Sequence, residues 1–405
     1  MSPTGRLRQA LRAADVPPFH AMAMARRAAE AEAHGQRVLH LEVGQPATGA
    51  PTTARAAVVA AMERNDALGY TNAPGSMALR RRICRHYADA YGEQVSADDV
   101  VVVAGASAGF TLAFLAAFDA GDRVGVIEPG YPCYRNALLA LGVEPVAIPV
   151  GPETRWAPTP ELLAAAGNLQ GLVIASPSNP TGTVLSAERL AAVAQWCTTN
   201  GVQLIADEIY HGITYGVPAP TVLAFTRDAV VVNSFSKYYS MTGWRLGWMV
   251  VPQHLRDAVE RLQQNIYICA PHVSQVAGLA AFDATAELDA HVQRYATNRE
   301  LLTTGLARAG ITDVAHADGA FYVYADITHL LTDPRDTSDD APDDTFDGAA
   351  DSMSLCHRWL DELGVAATPG LDFDLARGHR FVRFSYAGDA ADIAEACDRL
   401  QQWAK

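Results

Sequence analysis

The chain has 405 residues, 49% hydrophobic and 19% charged, a globular composition with ample apolar material for a core. At roughly 150 residues per domain, this length implies about two domains. With 45 acidic against 31 basic residues the net charge is −14, which argues against nucleic-acid binding, since that needs clustered cations.

The N-terminus lacks the apolar core of a signal peptide, and no run approaches the ~18 apolar residues of a membrane span. The six cysteines (Cys84, Cys133, Cys197, Cys269, Cys356 and Cys397) form no C-x-x-C pair, so neither a zinc site nor a thioredoxin-like motif is indicated. A soluble cytoplasmic protein with reduced thiols, and with neither a membrane nor a nucleic-acid partner, is the expectation.

In chain order, Pro17 and Pro18 open a helical stretch that Gly35 can stop. From about residue 100, short Val/Ile-rich runs alternate with Ala/Leu-rich helical stretches. The runs are DVVVVAG (99–105), DRVGVIEP (122–129), GVEPVAIPV (142–150), GLVIAS (171–176), VQLIAD (202–207) and AVVVNSFS (229–236). Apolar throughout, they predict strands buried on both faces of a mostly parallel sheet flanked by helices. Such α/β sheets bind ligands beyond the carboxyl ends of their strands, and the Gly and polar residues cluster at those ends here.

After about residue 290 the pattern changes to a long helix, a strand in GAFYVYAD (319–326), a helix around SLCHRWLDELG, a strand in HRFVRFSYA (379–387) and a terminal helix. This predicts a smaller α+β domain. The expected division is an N-terminal arm and helix over 1–45 that packs with the small domain, a large domain over 46–290 and the small domain over 291–405. Within the small domain the stretch 333–351 holds eight Asp and one Arg and reads as a solvated insertion or an acidic binding segment.

The most informative segment is S-F-S-K-Y-Y-S-M-T-G-W-R-L-G (234–247). Lysine is almost never fully buried without a task, and burial lowers its pKa toward that of a nucleophilic amine. Lys237 follows an apolar strand among small hydroxyl residues, and Arg245, eight residues on, offers a planar fork suited to a phosphate. Asp207 ends the preceding strand run, where a helix N-cap is the alternative role. G-A-S-A-G (105–109) lies between a strand and a helical stretch, where backbone amides can cup an anion.

From Gly44 to Arg383, in order and spacing, these segments resemble the class I aminotransferases, the fold-type I enzymes of the aspartate aminotransferase superfamily. The resemblance implies that Lys237 forms a Schiff base with pyridoxal 5′-phosphate. It implies that Asp207 holds the cofactor's ring nitrogen protonated, and that Tyr210 and Asn179 bond its phenolic oxygen. Tyr131, in E-P-G-Y-P-C-Y, is implied to stack on the ring. Ala106, Ser107, Ser234, Ser236 and Arg245 would hold the phosphate, and Tyr70 would reach it from the partner of a homodimer. Pro180 and Gly182 would shape the Asn179 loop. Arg383, Asn179 and the backbone of Gly44 would receive the substrate α-carboxylate.

The implied activity is ping-pong transfer of an amino group between an L-amino acid and a 2-oxo acid, with Lys237 as the proton carrier. The same scaffold hosts carbon–sulfur lyases and cyclopropane-forming synthases, so fold alone does not fix the reaction. A regulatory module with this fold would need a winged-helix region, and the about 40 residues before Gly44 are too few for one. Three departures stand out: the small residues of A-S-A-G, an Asp-rich loop longer than expected between the two small-domain strands, and the lack of a second arginine placed to read a distal carboxylate, which argues against strict aspartate specificity.

Overall fold

The computed structural model describes residues 10–331 and 350–404. The Asp-rich stretch 333–351 therefore lies outside the described residues except for its last two positions. One of these, Asp351, caps the helix Ser352–Leu363 by accepting the Ser354 amide at 2.8 Å.

Twelve strands follow one another as β1 (Leu39–His40), β2 (Val100–Val103), β3 (Arg123–Glu128), β4 (Glu144–Pro149), β5 (Gly171–Ala175), β6 (Gln203–Asp207), β7 (Val230–Ser234), β8 (Gly247–Val250), β9 (Tyr322–Asp326), β10 (Val365–Ala366), β11 (Thr368–Pro369) and β12 (Phe381–Ser385). Seven form the central sheet in the order β2-β8-β7-β6-β5-β3-β4. β3 to β7 pair in parallel, whereas β8 runs antiparallel to both β2 and β7. All six predicted strands are present and the sheet is mostly parallel, as expected.

Two details differ from expectation. β8 was not anticipated, because four apolar residues directly after the Arg245 signature carry no strand-length signal of their own. β4 is not buried on both faces: it closes one edge of the sheet, and along it only Ile148 is fully covered. Elsewhere alternate residues feed two cores. Val102, Leu172, Ile174, Leu204, Val231 and Trp248 face one side, while Val103, Val126, Val173, Ile205, Val232 and Met249 face the other with Phe110 and Phe114.

β11, β12 and β9 make a separate antiparallel sheet, and β1 pairs with β10. Their shared core centres on Trp359, Tyr322 and Phe384, and it includes Met24 and Ala28 from the helix His20–Ala33. Among the described residues, no helix is long and apolar enough to cross a membrane.

Candidate active site

Beyond the carboxyl ends of the parallel strands lies a cavity of about 550 Å³, a size suited to a cofactor with its substrate. Every residue singled out from the sequence for cofactor or substrate lines it, except Tyr70, which is 82% exposed on the surface. The convergence follows from topology. Tyr131 lies past β3, Asn179 past β5, Asp207 at the end of β6, and Ser234, Ser236 and Lys237 at and just beyond the end of β7.

Lys237 Nζ donates to the Gly44 carbonyl at 2.6 Å and lies 5.7 Å from the centre of the Tyr210 ring. Burial pulls its pKa down to about 8, and the Arg383 charge adds to that while Asp207 opposes it. About a tenth of the amine is then neutral at pH 7, far more than for an ordinary lysine. Asp207 is buried and its pKa is pushed up to about 6 by burial. The Tyr134 hydroxyl, the Ile209 amide at 3.0 Å and Lys237 counter that rise, so the carboxylate is mostly ionised at pH 7.

At the other end of the cavity, the helix Ala106–Ala117 starts after Gly105, and its first amides, from Ala106 and Ser107, have no partner within the helix. Gly105 has a φ of +87°, and a Cβ there would lie 2.5 Å from Arg245 Nη2. Only glycine lets the guanidinium lie this close to the helix start. Arg245 itself adopts φ 51°, a left-handed conformation costing about 1–3 kcal/mol, and Nη1 donates to the Thr242 carbonyl at 3.1 Å. The Ser234 and Ser236 hydroxyls meet at 2.9 Å beside it. Amides at a helix start, a guanidinium and two hydroxyls form a donor set for a phosphate.

Arg383 sits in β12, buried, with Nη1 donating to Asn179 Oδ1 at 2.9 Å and Nη2 to the Glu42 carbonyl at 2.7 Å. The rings of Tyr322 and Phe373 flank it at 4.4 and 4.8 Å. Among the described residues no carboxylate lies within ion-pair distance, and Nε has no hydrogen-bond partner. A buried cation without a counter-ion calls for an anion, and a ligand carboxylate would supply one.

A profile of the class I and II aminotransferases matches residues 36–400. Over 401 residues the chain is 50% identical to the valine–pyruvate aminotransferase of Mycobacterium tuberculosis, covering 98% of each chain. A crystal structure of an aminotransferase from that organism superposes with a TM-score of 0.92 at 49% identity, covering 98% of this chain and 99% of the other. The Thermus thermophilus aspartate aminotransferase with maleate gives 0.88 at 26% identity, with 98% and 100% covered.

The chain belongs to the class I and II aminotransferases. It is an enzyme that transfers amino groups between amino acids and 2-oxo acids, with pyridoxal 5′-phosphate as cofactor. The residues present fit that group. An amine of lowered pKa, a buried ionised carboxylate and a multi-donor anion cradle that glycine keeps open face one cavity.

Sequence reasoning did not single out several residues that line or support this aminotransferase cavity. Tyr134 donates to Asp207, and the Tyr322 hydroxyl meets that of Tyr210 at 2.7 Å. Thr368 Oγ1 accepts from Arg383 at 3.2 Å and donates to the Glu42 carbonyl at 2.9 Å. Only Tyr134 left a local signal, lying in the first turn of a helix three residues after Tyr131. The Tyr322 and Thr368 contacts join chain segments distant in sequence. Tyr322 also explains Gly44, where a Cβ would lie 2.1 Å from its hydroxyl oxygen.

Proposed function

We propose that this aminotransferase exchanges the amino group of apolar L-amino acids with a small 2-oxo acid such as pyruvate. The observation that carries the reading is the lining of the cavity. Among the described residues, its only cationic side chains are Lys237, Arg245 and Arg383. The first serves the reacting centre, the second the phosphate and the third the α-carboxylate, so this chain's own lining leaves no cation for an acidic side chain. The name of the valine–pyruvate relative supports the same substrate pair.

When bound, pyridoxal phosphate supplies a carbonyl carbon that takes the amino group and a ring that stabilises negative charge at the substrate Cα. Lys237 Nζ would take the proton from the substrate Cα and deliver it to the cofactor carbon that receives the amino nitrogen. Asp207 keeps a proton at the ring nitrogen, and Tyr210 and Asn179 donate to the ring oxygen. Tyr131 covers the ring face. Ala106, Ser107, Ser234, Ser236 and Arg245 bind the phosphate. Arg383, beside Asn179 and Gly44, would hold the substrate by its carboxylate and so orient the Cα–H bond for removal of the proton.

The enzyme acts as a cytoplasmic homodimer in which Tyr70 completes the partner's phosphate site. Its exposed ring, and exposed Met62, Met77, Ile266 and Ile268, support such an interface. The six free cysteines fit a reducing compartment. The division at residues 45 and 290 assigns Lys237 and Asp207 to the large domain and Arg383 to the small one.

Titrating the holoenzyme with single amino acids and following its absorbance tests the substrate reading. Valine should discharge the resting band and yield its 2-oxo acid without ammonia. A band that responds to aspartate or glutamate but not to valine or alanine would contradict it.

A further inference from the structure

Tyr210 and Tyr322 come from different sheets. Tyr210 lies three residues past β6 of the central sheet, whereas Tyr322 opens β9 of the small antiparallel one. Their rings meet edge-on with centres 5.8 Å apart, and their hydroxyls meet at 2.7 Å. Both residues are buried, and among the described residues neither hydroxyl has another hydrogen-bond partner. Burial raises both pKa values, so both phenols stay protonated at neutral pH.

Two hydroxyls carry two protons, and only one of these sits in the bond between them. The direction of that bond decides which tyrosine keeps the other proton. Both tyrosines line the cavity, and Tyr210 is the one assigned above to the cofactor's ring oxygen. It can donate there only if it accepts from Tyr322.

Arg383 favours that direction. Its guanidinium stands over the Tyr322 ring at 4.4 Å, and its charge pulls against the rise that burial imposes on the Tyr322 pKa. A phenol beside a cation gives its proton more readily. Tyr210 also feels Arg383, but there the charge of Asp207 opposes it. Gly44 leaves room for the arrangement, since a Cβ at that position would collide with the Tyr322 hydroxyl.

We propose that Tyr322 is a positioning residue for the transamination, donating to Tyr210 and so freeing the Tyr210 proton for the ring oxygen of pyridoxal phosphate. This rests on the role given to Tyr210 above. The side chain under Arg383 thereby also sets the donor that tunes the cofactor.

The absorbance of the holoenzyme against pH tests this without turnover. Its resting band reports the proton on the nitrogen that joins Lys237 to the cofactor. Donation to the ring oxygen draws off negative charge that helps to hold this proton, so weaker donation raises the midpoint. Tyr322→Phe should raise it by roughly 0.5 to 1 pH unit, the size of one ordinary hydrogen bond. A 3-fluorotyrosine in place of Tyr322, a stronger donor of nearly the same shape, should lower it. In a Tyr210→Phe background, Tyr322→Phe should add nothing.

A midpoint that Tyr210→Phe raises but Tyr322→Phe leaves unchanged or lowers would overturn the proposal. Equal rises from Tyr322→Phe in both backgrounds would also overturn it, because Tyr322 would then act on the cofactor directly. A midpoint that Tyr210→Phe itself does not move would refute the role of Tyr210, and the proposal with it. If Tyr322→Phe does not retain the cofactor, the fluorinated protein decides, and a midpoint that fails to fall overturns the proposal.

Discussion

Lys237 Nζ donates to the carbonyl oxygen of Gly44 at 2.6 Å, so the amine is held by backbone from a segment 193 residues earlier. Two residues before Gly44, the Glu42 carbonyl accepts from Arg383 Nη2 at 2.7 Å. One short stretch after β1 thereby fixes both the amine and the cation that face the cavity. Neither contact needs a particular side chain on the segment itself, but both need the segment to stay where it is.

His40 helps to keep it there. Its Nδ1 pairs with Glu42 Oε1 at 2.8 Å and its Nε2 with Glu32 at 3.2 Å. The bond to Glu42 is the main reason its pKa rises from 6.5 to about 9, against the opposing effect of burial. Because folding raises this pKa, the stabilisation is fully present below about pH 6.5 and is lost as pH climbs through 9. His40→Ala should therefore lower the melting temperature clearly at pH 6 and much less at pH 10, as calorimetry at the two pH values would reveal.

Arg383→Ala removes a buried cation that bonds Asn179, the Glu42 carbonyl and Thr368. It also removes the counter-ion of the substrate carboxylate, and losing one partner of such a buried pair costs about 2–5 kcal/mol, on the order of 30-fold or more in kcat/KM. Arg383→Lys should recover little, since an ammonium cannot reproduce the planar fork. Steady-state kinetics with the best amino donor would check both.

Tyr134→Phe takes away the hydroxyl that donates to Asp207. Burial has already pushed that carboxyl up to about 6, and the lost donor lets it rise further. The carboxylate is then protonated at higher pH, so the acid limb of the kcat/KM profile should move upward while the rate at pH 8 to 9 stays close to wild type. An acid limb in the same place would separate Tyr134 from the ionisation of Asp207.

Gly105→Ala places a methyl group at φ +87° and 2.5 Å from Arg245 Nη2. The backbone strain alone is about 1–3 kcal/mol. Displacement of the guanidinium from the helix start should weaken cofactor binding, measurable as faster loss of pyridoxal phosphate on dialysis.

Much of this arrangement was legible in the sequence because parallel strands buried on both faces write continuous apolar runs, and their carboxyl ends collect Tyr131, Asn179, Asp207 and Lys237 at readable positions. β8 escaped because it is short and antiparallel, and because its register is set by pairing with β2 and β7 and not by its own pattern. Tyr322 and Thr368 escaped for a different reason. Each acts through hydrogen bonds to residues more than a hundred positions away, and tertiary contacts of that range leave no periodicity behind.

The most direct test of the central claim uses the chemistry of Lys237 and the scarcity of lysine. The chain contains two lysines, Lys237 and Lys405. Borohydride reduction of the holoenzyme, followed by digestion and mass spectrometry, should place a phosphopyridoxyl group on the peptide carrying Lys237 and nowhere else, and Lys237→Ala should carry none. A label on Lys405 alone, or one that persists in Lys237→Ala, would contradict the account.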